Sequence, residues 1–172
     1  MISEIEWVES IASRLEVNGE LEKTGGQSLR IAAGVRLPYT HGVVLHREED
    51  PSRDEHETEL LLYDQIDELW WTPRVVLECK LSKVTPHDAF SYSATATTHK
   101  RAHPYLRYGI LLGRRCEQPG SVSCIGYRNP FDFTACWEED MTSRAEWESF
   151  VAILAEEIQV SRNFQEVQSV NR

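Results

Sequence analysis

The segment that most constrains the fold runs from position 74 to 113. It opens on RVVLECKL at 74–81 and closes on LRYGILLG at 106–113, two largely apolar runs of strand length. Between them Thr85 stands as an N-cap, Pro86 suits the first helical position, and Asp88 follows three residues after the cap. That signature predicts a helix over 86–102, ending before Pro104. A strand, a long helix and a second strand cannot be a hairpin. They predict a parallel crossover, right-handed by the usual rule, in a sheet covered by helices.

The flanking residues extend this into an α/β chain. Residues 3–16 carry Ile5, Val8, Ile11, Ala12 and Leu15 at helical spacing and predict an amphipathic helix. Strands are expected at 28–35, 42–46 and 59–66, with an acidic loop at 48–57 and a turn at 67–73 holding Trp70 and Trp71. A further strand is expected at 121–127, and 128–141 reads as irregular. Thr142 or Ser143 should cap a last long helix with Trp147, Phe150, Val151, Leu154 and Ile158 on one face, its final ten residues fraying. The order reduces to helix, three strands, helix, strand, then extra elements including a C-terminal helix. This predicts an α/β sandwich with a mixed central sheet flanked by helices. At 172 residues, the chain is read as a single domain over 1–172.

Composition excludes some classes. No run approaches the ~20 apolar residues of a membrane helix, and the N-terminus MISEIEWVES lacks the basic start of a secretory signal. Cys79, Cys116, Cys124 and Cys136 show no C-x-x-C spacing, so they are expected to be reduced thiols in a reducing compartment. The expected location is the cytoplasm. The net charge is -10, which opposes general nucleic-acid binding. Its distribution is uneven. Between 48 and 68 there are ten acids against Arg53 alone, while between 99 and 128 Lys100, Arg101, Arg107, Arg114, Arg115 and Arg128 face only Glu117.

The chemistry centres on Glu78-Cys79-Lys80. Along the strand, Val75, Leu77, Cys79 and Leu81 point one way, and Val76, Glu78 and Lys80 the other. Charges in the middle of an apolar strand are costly unless paired or used. The preceding strand, HETELLLYDQI, supplies acids to lie beside Glu78: Glu59, or Asp64 as the alternative. These two are five apart and so face opposite sides of a regular strand. Glu59 faces the site if Leu60 and Leu62 fill the core; Asp64 does if Leu61 and Tyr63 fill it. The first arrangement is preferred. Two carboxylates and the Cys79 backbone carbonyl suit a hard cation, Mg2+ or Mn2+. Such an ion supports phosphodiester hydrolysis by stabilising transition-state charge and activating water, with a lysine orienting that water or offsetting phosphate charge.

The pattern of an acid (Glu59 or Asp64), then VVLECK, then the helix at 86–102, then RYGILLG, resembles the PD-(D/E)XK nuclease superfamily. The likeness spans roughly residues 3–113, and the stretch TPHDAFSYSATATTHKRAHPYLRYG looks like uncharacterised bacterial members. The resemblance implies a restriction endonuclease-like fold and a Mg2+-dependent DNA endonuclease, of a restriction or phage-defence kind. Its catalytic residues would be Glu59, Glu78 and Lys80, and its metal ligands Glu59 (or Asp64), Glu78 and the Cys79 carbonyl. Lys100, Arg101 and Arg107 are the expected nucleic-acid contacts, Tyr92 and His99 weaker ones, and Glu9 an additional acid from the first helix. A homodimer or a partner subunit fits such an enzyme. The chain departs from the family in lacking a Pro-Asp pair, and that favours a second reading: the same fold with a decayed ion site, acting as an interaction module. A third is an unrelated acidic α/β protein whose Glu78 and Lys80 form an ion pair.

Overall fold

Residues 71–79 are buried without a break, and they form the middle of the sheet. The computed structural model describes residues 2–19, 21, 28–38, 44–45, 55–82, 84–113, 130–137 and 142–170. In chain order the elements are α1 (Glu4–Asn18), β1 (Leu29–Pro38), β2 (Val44–Leu45), β3 (Glu55–Gln65), β4 (Trp70–Lys80), α2 (Pro86–Ala102), β5 (Arg107–Leu112), β6 (Phe133–Cys136) and α3 (Arg144–Val170). The protein is α/β, with a mixed sheet in the order β1-β3-β4-β5-β6. β3 runs antiparallel to both β1 and β4, while β4, β5 and β6 run parallel. The short β2 pairs with the start of β4.

The crossover expected from the sequence is present, with β4 and β5 paired in parallel from Val75–Arg107 to Lys80–Leu112. Its helix begins at the expected cap: the Asp88 N–H donates to Thr85 Oγ1 at 3.2 Å, and the Thr85 N–H donates to the Asp88 carboxylate at 2.8 Å. Both faces of the sheet are covered. On one, α1 (Trp7, Val8, Ile11, Leu15) and α3 (Trp147, Phe150, Leu154, Ile158) pack on Leu60, Leu62, Val75, Leu77 and Cys79. On the other, Ala96 of α2 packs with Leu61, Val76, Leu106 and Tyr108. Leu60, Leu61 and Leu62 are all fully buried, as strands covered on both faces require.

Several boundaries differ from expectation. Ile5 is 72% exposed, and Trp7 takes its place in the core, where the larger ring meets Trp137 edge-on at 5.6 Å. Glu55–Glu57, assigned above to an acidic loop, belong to β3 because β1 extends to Pro38 and pairs with them. The turn after β3 is shorter than expected: Trp70 and Trp71 open β4. Pro73 is tolerated there because the β3–β4 register shifts between Leu62 and Tyr63, a bulge that suits a residue without an N–H. β6 forms within the stretch read as irregular, and α3 runs on to Val170 rather than fraying. Cys79 is free and buried, whereas Cys136 is disulfide-bonded, so the expectation of reduced thiols fails at that residue. The strand expected at 121–127 and the acidic residues 48–54 lie outside the described residues. Among those described, no helix is long and apolar enough to cross a membrane.

Candidate two-carboxylate site where the central strands part

The β3–β4 ladder ends at Leu60 and Leu77. One step further the register would set Glu59 against Glu78, but here the backbones part and a side chain fills the gap: the Cys79 N–H donates to the Glu59 carboxylate. On the other flank of β3, pairing with β1 skips Gly34, which stands opposite Glu59 with φ 66. That left-handed backbone, strained for any residue with a Cβ, interrupts the ladder beside the carboxylate. A cleft of about 330 Å³ opens at this point between α1 and β3, with acids Glu4, Glu9, Glu57 and Glu59 and an apolar wall from Val8 and Ala33.

Glu78 is 2% exposed, and the Tyr108 hydroxyl donates to its Oε1 at 2.5 Å. Burial pushes its carboxyl up to about 7, with the Tyr108 hydrogen bond opposing. Glu59 is pushed up to about 8, first by burial and next by the charge of Glu78, with the Cys79 N–H and Lys80 opposing. Lys80 follows on the same strand face. Its Nζ lies 3.5 Å from Glu4 Oε1 of α1, and Glu4 Oε2 accepts the Leu81 N–H at 2.9 Å. The Lys80 carbonyl accepts the Gly113 N–H at the end of β5, so strand alternation turns the Cys79 main chain toward the β3 side, where Glu59 sits. Tyr92 of α2 is half-buried, and its phenol is driven upward by burial and then by Glu59, Glu78 and Glu4.

Asp64 lies elsewhere. Alternation along β3 puts it on the α1/α3 face, where Arg74 Nε lies 2.7 Å and Arg162 Nε of α3 2.9 Å from its Oδ2, and Arg162 also reaches Oδ1. Burial alone would raise its carboxyl, but the two guanidiniums more than offset this and hold it below the ordinary range. The structure therefore brings Glu59, not Asp64, beside Glu78. The basic residues are also partly engaged. Lys100 Nζ is 2.7 Å from Asp132 and 3.1 Å from the Pro130 carbonyl. Arg107 pairs with Asp132 at 2.9 Å and with Glu157 at 2.5 Å. Arg101 is exposed, and Arg114, Arg115 and Arg128 lie outside the described residues. His99 is fully buried and stacked on Tyr108, away from any surface contact with phosphate.

Two residues of the site were not singled out by sequence. Glu4 is one of several acids at the start of α1, and spacing alone does not separate it from Glu6, which completes the Ser3 capping box, or from Glu9. Tyr108 follows from alternation only once the β4–β5 register is known.

Among the described residues no group of three or more His, Cys, Asp or Glu side chains is arranged to hold a metal ion. The oxygen donors present are the Glu59 and Glu78 carboxylates and the Cys79 carbonyl. They fit a hard cation in chemistry: the buried pair has its charged forms disfavoured, and a divalent ion would relieve that charge excess. No family model matches the chain, and no curated protein matches it.

Proposed function

We propose that this chain is a Mg2+- or Mn2+-dependent phosphodiesterase of the PD-(D/E)XK kind, acting on DNA. The observation that carries the reading is the convergence of Glu59 and Glu78 where β3 and β4 part, with Lys80 two residues further along the same strand. The order α1, β1, β3, β4, α2, β5 supports it, since it is compatible with the helix, three-strand, helix, strand order that a restriction endonuclease-like core requires, with β2 as an addition. Glu59, Glu78 and the Cys79 carbonyl would hold the ion. When bound, it would stabilise charge developing on the phosphate and lower the pKa of an attacking water. Lys80, steered by Glu4, presents an ammonium that neutralises a phosphate oxygen or orients the water. Tyr108 holds Glu78 from below. Of the three basic residues Lys100, Arg101 and Arg107, Arg101 is the exposed one offered to the nucleic-acid backbone, since Lys100 and Arg107 are engaged in internal ion pairs.

The test is cleavage of single- and double-stranded DNA with Mg2+ or Mn2+. Wild type should cut, and Glu78→Gln and Lys80→Ala should each lose at least ~100-fold in rate, on the scale of removing one transition-state stabiliser. Cleavage that survives both substitutions refutes the reading. One observation favours the interaction module instead: the cleft is lined by acids, and Lys80 is paired with Glu4. No cleavage with either ion, together with retained DNA or protein binding, would establish that alternative.

A further inference from the structure

We infer that Tyr108 is the positioning residue for Glu78, fixing the carboxylate so that one oxygen is held by the protein and the other faces a ligand. The inference rests on the two-carboxylate reading above. Val76 of β4 is opposite Tyr108 of β5, and Glu78 is opposite Ile110, so Tyr108 and Glu78 are diagonal neighbours on one face of a parallel pair. The phenol donates to Glu78 Oε1 at 2.5 Å, and among the described residues no donor is bonded to Oε2.

Tyr108 has little freedom to do otherwise. It is fully buried. Its ring stacks on His99 of α2 with centroids 5.8 Å apart and interplanar angle 29°, and meets Phe131 at 5.9 Å. Its backbone N–H donates to Asp132 Oδ2 at 2.8 Å. A hydroxyl on a ring clamped at these points is a preorganised donor. It favours the ionised carboxylate and sets its rotation, the two properties a cation ligand needs from the group behind it. Because His99 belongs to α2, the clamp ties the aim of Glu78 to the docking of that helix.

The test is Tyr108→Phe, which keeps the ring and its packing and removes one oxygen. Mn2+ binding is measured by calorimetry on the whole chain, with Glu78→Gln as the reference for a lost ligand. The 13C signal of the Glu78 side-chain carboxyl, identified by its absence in Glu78→Gln, is read at a fixed pH near 9. We expect Mn2+ affinity to fall about 10- to 100-fold, the usual cost of losing a group that orients a ligand, together with a displaced Glu78 signal and a cooperative melt. Equal Mn2+ affinity in a wild type that does bind the ion overturns the inference and leaves the site reading standing. If wild type binds no Mn2+, the site reading fails, and the carboxyl signal decides the inference alone. An unmoved signal in Tyr108→Phe then overturns it, and a moved one supports Tyr108 as the group that holds Glu78.

Discussion

Glu59→Gln should make the metal-free protein more stable at alkaline pH and leave it nearly unchanged at acid pH. The Glu59 carboxyl has an ordinary value near 4.5 and is pushed up to about 8 in the folded chain, first by burial and next by Glu78. Between those limits the folded state binds a proton that the unfolded state has released, so stability falls as pH rises from 4.5 through 8. At ~1.4 kcal/mol per pH unit, the three units up to pH 7.5 amount to about 4 kcal/mol. Water reaches part of this carboxylate, and screening lowers the figure to on the order of 2–3 kcal/mol. Glutamine keeps an oxygen to accept the Cys79 N–H and carries no charge. For a domain of this size, about 2–4 °C per kcal/mol gives a gain of roughly 5–10 °C at pH 8 and almost none at pH 5. Thermal melts at the two pH values, with and without millimolar Mn2+, measure this directly. Mn2+ should stabilise wild type at pH 8 and do little for the variant. A gap between variant and wild type that is the same at both pH values, or a variant less stable at pH 8, would refute the argument that the charge pair is uncompensated.

The remaining predictions address residues away from the carboxylate pair. Asp64→Ala takes this acceptor from the buried Arg74 guanidinium and from the half-buried Arg162, and should cost about 3–5 kcal/mol in chemical denaturation while Mn2+ affinity of the folded protein stays within about twofold. Gly109→Ala places a methyl into the Phe133 ring, which lies flat over the glycine where β5 meets β6. It should cost about 1–3 kcal/mol, with part recovered in the Gly109→Ala/Phe133→Leu double variant. His99 is pushed down from 6.5 to about 4, mainly by burial. The unfolded chain therefore binds the extra proton between those values, and stability contributed by neutral His99 is lost as pH falls from 6.5 to 4, by about 3 kcal/mol. Urea titrations of wild type against His99→Phe over that range should show this loss in wild type alone.

What was legible in the sequence was whatever depends on local chemistry. The Thr85-Pro86-x-Asp88 cap works through hydrogen bonds within four residues, and it sets the start of α2 where expected. The apolar runs of β4 and β5 announce strands covered on both faces, and the crossover between them leaves parallel pairing as the outcome. Boundaries that depend on a distant partner were not legible. β3 begins at Glu55 because β1 reaches Pro38 and offers it a partner, although Glu55, His56 and Glu57 have the composition of a loop. β6 exists because β5 has a free edge next to it, and FTAC alone gives no sign of that.

The site divides along the same line. Alternation within β3 framed the choice between Glu59 and Asp64 correctly, because five residues of separation force opposite faces. The stated criterion, which of Leu60, Leu61 and Leu62 fills the core, could not decide it, since all three are buried in a sheet with helices on both sides. What separates the two acids is the company each keeps. Arg74 sits at the β4 bulge and Arg162 lies 98 residues along the chain from Asp64, and together they neutralise that acid. Glu59 instead meets a second buried carboxylate, a main-chain N–H and a lysine already shared with Glu4. The same distinction divides the basic residues: Lys100 and Arg107 have binding-site chemistry in the sequence, yet Asp132 and Glu157 hold them as structural ions. In a chain of net charge -10, acids whose burial and mutual repulsion outweigh the cations beside them are the places where an external cation is worth most. Glu59 and Glu78 meet that condition and Asp64 does not. A divalent ion should therefore bind the first pair and leave the second network unchanged.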